Sequence, residues 1–125
     1  MYTVAVTKDF IANHFLIGVD WGSENSPHAH HYVAEISIEA AELDKHGYLV
    51  DIVEIEAALD SIVDDFRDSM LNEKPEFAGL NPSIEHFSRI ICDRMLDKVK
   101  PPGNGTLVVK LWENATCWAA YKKAF

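Results

Sequence analysis

The sequence predicts an α+β fold in which a four-stranded antiparallel sheet is combined with two helices. Two long segments with strand-like alternation come first, two segments with helical periodicity follow, and two short strands come last. This order, ββααββ, is typical of an antiparallel sheet with helices on one face. We expect residues 1–125 to form one domain, because 125 residues is close to the commonest domain size.

The first two strands are predicted at residues 2–16 and 28–43. The first is rich in β-branched and aromatic residues, and the Gly, Ser, Asn and Pro of residues 18–27 indicate a loop before the second. In the second strand, the even-numbered positions from His28 to Ile38 share one face, which is apolar from Tyr32 onward. Glu35 and Glu39 lie on the other face. This alternation is typical of a half-buried antiparallel strand.

The two helices and the last two strands follow from capping, periodicity and turn signals. Asp51, with Glu54 three residues later, resembles a capping box, and apolar residues then recur in steps of three and four up to Phe66. After a loop at residues 72–81, a second helix is predicted to begin around Pro82 and to end before residues 101–102. Strands are predicted at residues 106–112 and 115–122. Four strands leave two open edges, which favours pairing with another subunit.

The net charge and the cysteine pattern limit which partners and which cellular compartment are compatible with the sequence. The chain has 20 acidic and 11 basic residues, a net charge of −9, which argues against nucleic acid and anionic membranes as partners. The first residues lack the pattern of a signal peptide, and no apolar run approaches the ~18 residues of a membrane helix. Cys92 and Cys117 lack CxxC spacing and are interpreted as reduced thiols. We therefore expect a cytoplasmic protein.

Three of the six histidines lie within residues 28–31, and a fourth ends the first strand. His28 and His30 point to one face of their strand, about 6.6 Å apart at Cα, and the hairpin brings His14 beside them. Three neutral imidazoles suit a catalytic zinc site with one open position. The alternative is a polar strand end facing solvent, with a half-buried His14. His31 faces the other side and is not expected to be a ligand.

Six short motifs follow one another along nearly the whole chain. They are F-x-A-x-H at residues 10–14, His28-Ala29-His30 with Tyr32, Asp51 at the first helix, Leu71-Asn72, P-S-x-E at residues 82–85, and Glu113 with Tyr121 eight residues later. In this order and spacing, the chain resembles the 6-pyruvoyl-tetrahydropterin synthase and 6-carboxy-tetrahydropterin synthase family. The resemblance implies a tunnelling fold, in which subunits join their sheets into a barrel. It also implies a homohexamer, a dimer of trimers, with active sites at subunit interfaces.

The resemblance also implies a ligand set and a substrate anchor. The family binds Zn²⁺ through three histidines, which correspond to His14, His28 and His30. Its pterin-anchoring glutamate corresponds to Glu113, because a carboxylate can accept from the adjacent ring N–H and NH₂ of a pterin. The alternative for Glu113 is a hairpin-turn residue. Glu85 is either a second pterin contact or a carboxylate favoured by the helix dipole.

Two positions depart from the family pattern. The family's catalytic cysteine, about four residues before its H-G-H, is replaced by Glu24, and its Asp-His pair before Leu-Asn is replaced by Arg67 and Asp68. Glu24 is a candidate base, and Asp68 is a candidate for orienting a proton relay. The alternatives are a solvated loop carboxylate and a surface helix end. Family variants with Glu in place of Cys are associated with cleavage of the dihydroneopterin side chain to a hydroxymethyl product.

The resemblance therefore implies a zinc-dependent lyase that acts on the side chain of 7,8-dihydroneopterin or its triphosphate. The pathway would be pterin biosynthesis or queuosine-type 7-deazapurine biosynthesis. The alternative is a catalytically degenerate relative that binds pterin or metal without turnover. A third hypothesis is an assembly module whose histidine positions are accidental.

Overall fold

The computed structural model describes residues 1–125 and contains one four-stranded antiparallel sheet. Its strands are β1 (Tyr2–His14), β2 (His28–Ala40), β3 (Gly105–Trp112) and β4 (Trp118–Ala124), in the spatial order β1-β2-β3-β4. The helices α1 (Ile52–Phe66) and α2 (Ile84–Lys98) are inserted between β2 and β3. The predicted α+β class and ββααββ order are confirmed.

The sheet buries one face. Even-numbered residues from Tyr32 to Ala40 are buried in β2, whereas the odd-numbered ones between them are half-buried. An aromatic cluster lies between this face and the helices, and it consists of Phe10, Tyr32, Phe66, Phe77 and Phe87. The Tyr32 ring also lies 6.4 Å from the His14 ring, centroid to centroid, so the core directly supports the end of β1.

Side-chain caps fix where the helices begin. The Asp51 carboxylate accepts a hydrogen bond from Val53 N–H at the start of α1, and Ser83 Oγ accepts one from His86 N–H at the start of α2. The second helix thus begins at Ile84, and Pro82 lies just outside it rather than in its first turn. No helix has the length and apolarity required to span a bilayer.

Three predicted strand ends extend two or three residues beyond the strands of the structure. β1 ends at His14 rather than at residue 16, and β2 ends at Ala40, opposite Tyr2 and Gly105. β4 begins at Trp118 rather than at residue 115, because Asn114 Oδ1 accepts from the N–H groups of residues 116 and 117. Short 3-10 turns occupy Gly22–Asn25, Leu71–Glu73 and Pro75–Phe77, within or beside the predicted loops.

Candidate metal centre and active site

The ends of β1 and β2 bring three histidines together. His14 pairs with His28 in the antiparallel register, and His30 lies two residues further on the same face of β2. One nitrogen of each ring can be chosen so that all three lie within 4.8 Å of one another. The strand periodicity and hairpin predicted from sequence therefore produce a group that can hold a metal ion.

Burial keeps the central histidine neutral. Only 2% of His14 is exposed, and this burial lowers the pKa of its imidazole to about 4. The Pro82 carbonyl and the charge of Glu24 act in the opposite direction, whereas charges on His30 and His28 reinforce the lowering. At neutral pH the ring is therefore uncharged and keeps a lone pair for a metal.

Two backbone carbonyls select the tautomers. His14 Nδ1 lies 3.0 Å from the carbonyl oxygen of Pro82, and His28 Nδ1 lies 2.8 Å from that of Ser26. A carbonyl oxygen only accepts, so both Nδ1 atoms carry the hydrogen and donate it. In the neutral rings, the two Nε2 lone pairs then face each other at 2.9 Å. Such a contact is unfavourable unless a proton or a cation lies between them, so the donor set fits a metal ion.

The carboxylate of Glu113 lies next to His30 and His14. Its Oε1 is 2.8 Å from His30 Nε2 and 3.9 Å from His14 Nε2. The short contact lacks hydrogen-bond geometry, and the buried His30 Nε2 has no hydrogen-bond partner. Glu113 shares a face with Leu111 by strand alternation, which directs it toward the histidines.

A tight hairpin turn positions Glu113. Its N–H donates to the Cys117 carbonyl, and the Asn114 side chain accepts from the backbone N–H groups of Thr116 and Cys117. The backbone beneath the carboxylate is therefore held in place.

The segment that follows His14 is held by two asparagines. The Asn72 side chain accepts from Phe15 N–H and donates to the Phe15 carbonyl, both at 2.9 Å, and Asn81 Oδ1 accepts from Ile17 N–H. Nearby, Asn13 forms a parallel bridge with Met70. The Leu-Asn motif thus fixes the strand end that carries His14.

Replacing Asn72 with alanine is expected to lower the free energy of unfolding of the metal-free protein by about 1–3 kcal/mol. The physical reason is that one N–H and one carbonyl of Phe15 lose their partners. Urea denaturation measures the change. Glu73→Ala, one residue away and exposed, is the matched control and should change little. Equal stability of the two variants would contradict this role of Asn72.

The other candidate residues lie around this centre. Glu24 is exposed in the 3-10 turn Gly22–Asn25, and its carbonyl accepts from Leu16 N–H. Glu85 is exposed in the first turn of α2. Asp68 adopts a left-handed backbone conformation, φ 57°, and its N–H donates to Ile11. Neither Asp68 nor Glu85 contacts the three histidines through its side chain in this chain.

Comparison with known proteins shows which family has this sequence pattern. Residues 3–124 match the profile of the family described as 6-pyruvoyl tetrahydropterin synthase. The chain belongs to this family. It is 30% identical over 82 residues to a 6-pyruvoyl tetrahydrobiopterin synthase of Dictyostelium discoideum; the match covers 64% of this chain and only 61% of that protein.

Solved structures of the 6-pyruvoyl tetrahydropterin synthase family share the fold. The Caenorhabditis elegans 6-pyruvoyl tetrahydropterin synthase superposes with a TM-score of 0.80 at 17% identity, over 98% of this chain and 95% of that chain. A Plasmodium vivax 6-pyruvoyltetrahydropterin synthase, in which a glutamate described as a catalytic residue is replaced by alanine, gives 0.80 at 11% identity, over 99% and 98%. At such identities the likeness concerns the fold.

Several features of this family member were not predicted from its sequence. The carbonyls of Pro82 and Ser26 select the histidine tautomers, yet a backbone carbonyl leaves no signal in residue type. The proximity of Glu113 to His30 was also not predicted, because it depends on the register of β3 against β2. His31 lies on the opposite face, as its position implies, and its Nε2 lies 2.7 Å from an Asp9 oxygen.

Proposed function

We propose that this protein is a zinc-dependent lyase of the 6-pyruvoyl or 6-carboxy tetrahydropterin synthase kind. Its substrate would be 7,8-dihydroneopterin or the triphosphate of that compound. The observation that carries the proposal is the convergence of three histidines with two tautomers selected by backbone carbonyls. Family membership supports the pterin as the substrate class.

His14, His28 and His30 would hold the metal. Three imidazole donors without cysteine, and a carboxylate near them, suit zinc. A bound zinc ion would supply Lewis-acid polarisation of an oxygen on the pterin side chain. The chain itself supplies the orientation, because Pro82 and Ser26 hold the rings of His14 and His28.

Glu24 is proposed as the base. It stands where the family has a cysteine, and its backbone carbonyl accepts from Leu16 N–H, two residues beyond His14. The Plasmodium vivax relative shows that a glutamate is described as catalytic elsewhere in this family. Glu24 would take the proton of a side-chain hydroxyl while the adjacent carbon–carbon bond breaks. The oxygen becomes the carbonyl of the outer two carbons, which leave as an aldehyde, and the electron pair passes to the ring-side carbon, which is then protonated. This retro-aldol cleavage gives 6-hydroxymethyl-dihydropterin.

Glu113 and Glu85 are proposed to bind the pterin. Glu113 would accept from the ring N–H and NH₂, for which its carboxylate is suitably exposed at 26% of the side chain. Glu85 would contact the substrate from the start of α2, near Pro82. Asp68 would orient a proton relay, which requires a neighbouring subunit because its side chain makes no contact with the histidines of its own chain.

The proposed assembly is a homohexamer, a dimer of trimers, whose sheets join into barrels in the cytoplasm. The outer edge of β4 and most of that of β1 lack a partner strand in the single chain. A net charge of −9 argues against nucleic acid and membranes as partners, and binding of a triphosphate would need cations gathered at subunit interfaces. The pathway would be pterin or queuosine-type 7-deazapurine biosynthesis.

Product analysis tests the proposed function. The protein is stripped of metal, reloaded with zinc and incubated with 7,8-dihydroneopterin and, separately, with its triphosphate. Mass spectrometry is expected to detect 6-hydroxymethyl-dihydropterin from at least one of them, and only after zinc is added. No turnover of either substrate by protein that holds one zinc per chain would contradict the enzyme and support a binding protein without turnover.

A further inference from the structure

The loop that carries Glu24 has no apolar core of its own. Residues 17–27 join β1 to β2, and every one of them except Asn25 is exposed. Even the largest side chain of this loop, that of Trp21, is 47% exposed. Burial of apolar side chains therefore contributes little to the position of the loop, and hydrogen bonds must fix it.

The side chain of Asn25 makes three of these hydrogen bonds. Its Nδ2 donates to the carbonyl oxygens of Leu16, at 2.9 Å, and of Val19, at 3.1 Å. Its Oδ1 accepts from the N–H of Trp21 at 2.7 Å. Both donor hydrogens and the acceptor oxygen of the amide are therefore engaged. A carboxylate in this position, which only accepts, could not satisfy the two carbonyl oxygens.

These hydrogen bonds attach the loop to the strand end that carries His14. Leu16 lies two residues beyond His14, and its carbonyl accepts from Asn25 while its N–H donates to the carbonyl of Glu24 at 2.8 Å. Two consecutive loop residues thus bind both backbone groups of one residue beside the histidine centre. The backbone of Glu24 is held at a fixed place relative to His14 as a result.

We propose that Asn25 is a positioning residue that holds Glu24 at the histidine centre. The proposal rests on the proposed role of Glu24 as the base, and Asn25 acts through Glu24 without touching the substrate. A base must lie within hydrogen-bond reach of the proton that it removes. A displacement of about 1 Å in an active site can lower the rate about 10²-fold, so an exposed carboxylate on a loop without a core needs such an attachment.

The histidines are held independently of the Asn25 side chain. Ser26 follows Asn25, and the carbonyl oxygen of Ser26 accepts from His28 Nδ1 at 2.8 Å. The N–H of Ser26 donates in turn to the Ser23 carbonyl, which closes the 3-10 turn. Removal of the Asn25 amide should therefore release Glu24 from the end of β1 and leave the three histidines able to bind zinc.

Amide hydrogen exchange tests the attachment without turnover. Asn25→Ala is expected to speed exchange of the Leu16 and Trp21 N–H groups by about 10-fold or more, because the loop can then leave the end of β1. Asp20→Ala is the matched control, since Asp20 Oδ1 accepts from the N–H of Gly22 within the same loop. In this control, Leu16 should exchange as in the wild type. Metal analysis should find one zinc per chain in all three proteins.

A double-mutant cycle tests the link to Glu24. In zinc-loaded protein, Asn25→Ala is expected to lower kcat about 10–100-fold and to change KM less than about 3-fold. The same replacement made in Glu24→Gln should change kcat less than about 2-fold, because the base that Asn25 positions is already absent. A general loss of structure would instead lower the rate in both backgrounds. Asp20→Ala should keep the wild-type kcat.

The outcomes separate this proposal from the proposed function. Wild-type exchange at Leu16 in Asn25→Ala, or an equal loss of kcat in both backgrounds, would overturn the positioning role alone. A Glu24→Gln protein as active as the wild type would overturn the assignment of the base and its positioning together. If the zinc-loaded wild type turns over neither 7,8-dihydroneopterin nor its triphosphate, the proposed function fails and the positioning of a base fails with it.

Discussion

His14→Ala is expected to abolish stoichiometric zinc binding and all zinc-dependent turnover. Loss of an outer partner of a ligand costs about 10–100-fold in affinity, so loss of a proposed ligand should cost on the order of 100-fold or more. The wild type should gain about 4 kcal/mol of stability when free zinc is 1,000 times its Kd, and the variant should gain none. Metal analysis and thermal unfolding with and without zinc measure both effects.

Two further variants separate loss of the metal from loss of the fold. His14 is buried, so its replacement can destabilise the fold, whereas His28 is half-buried and its replacement by alanine removes a ligand with less disturbance. His31→Ala is the matched control, because His31 lies on β2 beside His30 but on the opposite face of the sheet, against Asp9. His31→Ala should keep the metal. Full zinc binding by His28→Ala would contradict the assigned ligand set.

The fold was predictable because local patterns determine most of it. The alternation from His28 to Ile38 set which face of β2 is buried, and Asp51 marks the start of α1. The predicted start of α2 at Pro82 lies two residues before the observed one, where Ser83 is the cap. The boundaries were less predictable because they depend on partners distant in sequence. β1 ends at His14 because the Asn72 side chain takes both backbone groups of Phe15.

The candidate site was predictable where it depends on strand geometry and not where it depends on tertiary contacts. Two-residue spacing and one hairpin place His14, His28 and His30 together. The contact between Glu113 and His30 needs the register of β3 against β2, which no single-strand pattern contains. For Asp68 and Glu85, no contact within the chain ties their side chains to the centre, so their roles depend on the assembly.

Glu24→Gln is expected to lower kcat by about 10²–10⁴-fold while zinc binding is retained. The amide keeps the size of the side chain but cannot take a proton, and a positioned base contributes about that much. Glu24 is exposed in a short turn, so its replacement should leave the fold unchanged. Ser23→Ala, in the same turn, is the control and should turn over substrate at the wild-type rate. Single-turnover rates and zinc content of all three proteins provide the measurement.

Glu24→Cys distinguishes a base from a residue that only positions the substrate. A thiol becomes a base when it ionises, near pH 8.5 for an unperturbed cysteine, whereas a carboxylate is already ionised above about pH 5. The rate of Glu24→Cys should therefore rise with pH through this range, and the wild-type rate should show no such rise. The chemical reason is that the thiolate fraction, rather than the shape of the side chain, controls proton removal. Identical pH profiles for the two proteins would assign the base to another group, and the zinc-bound Glu24→Gln protein would then turn over substrate at nearly the wild-type rate.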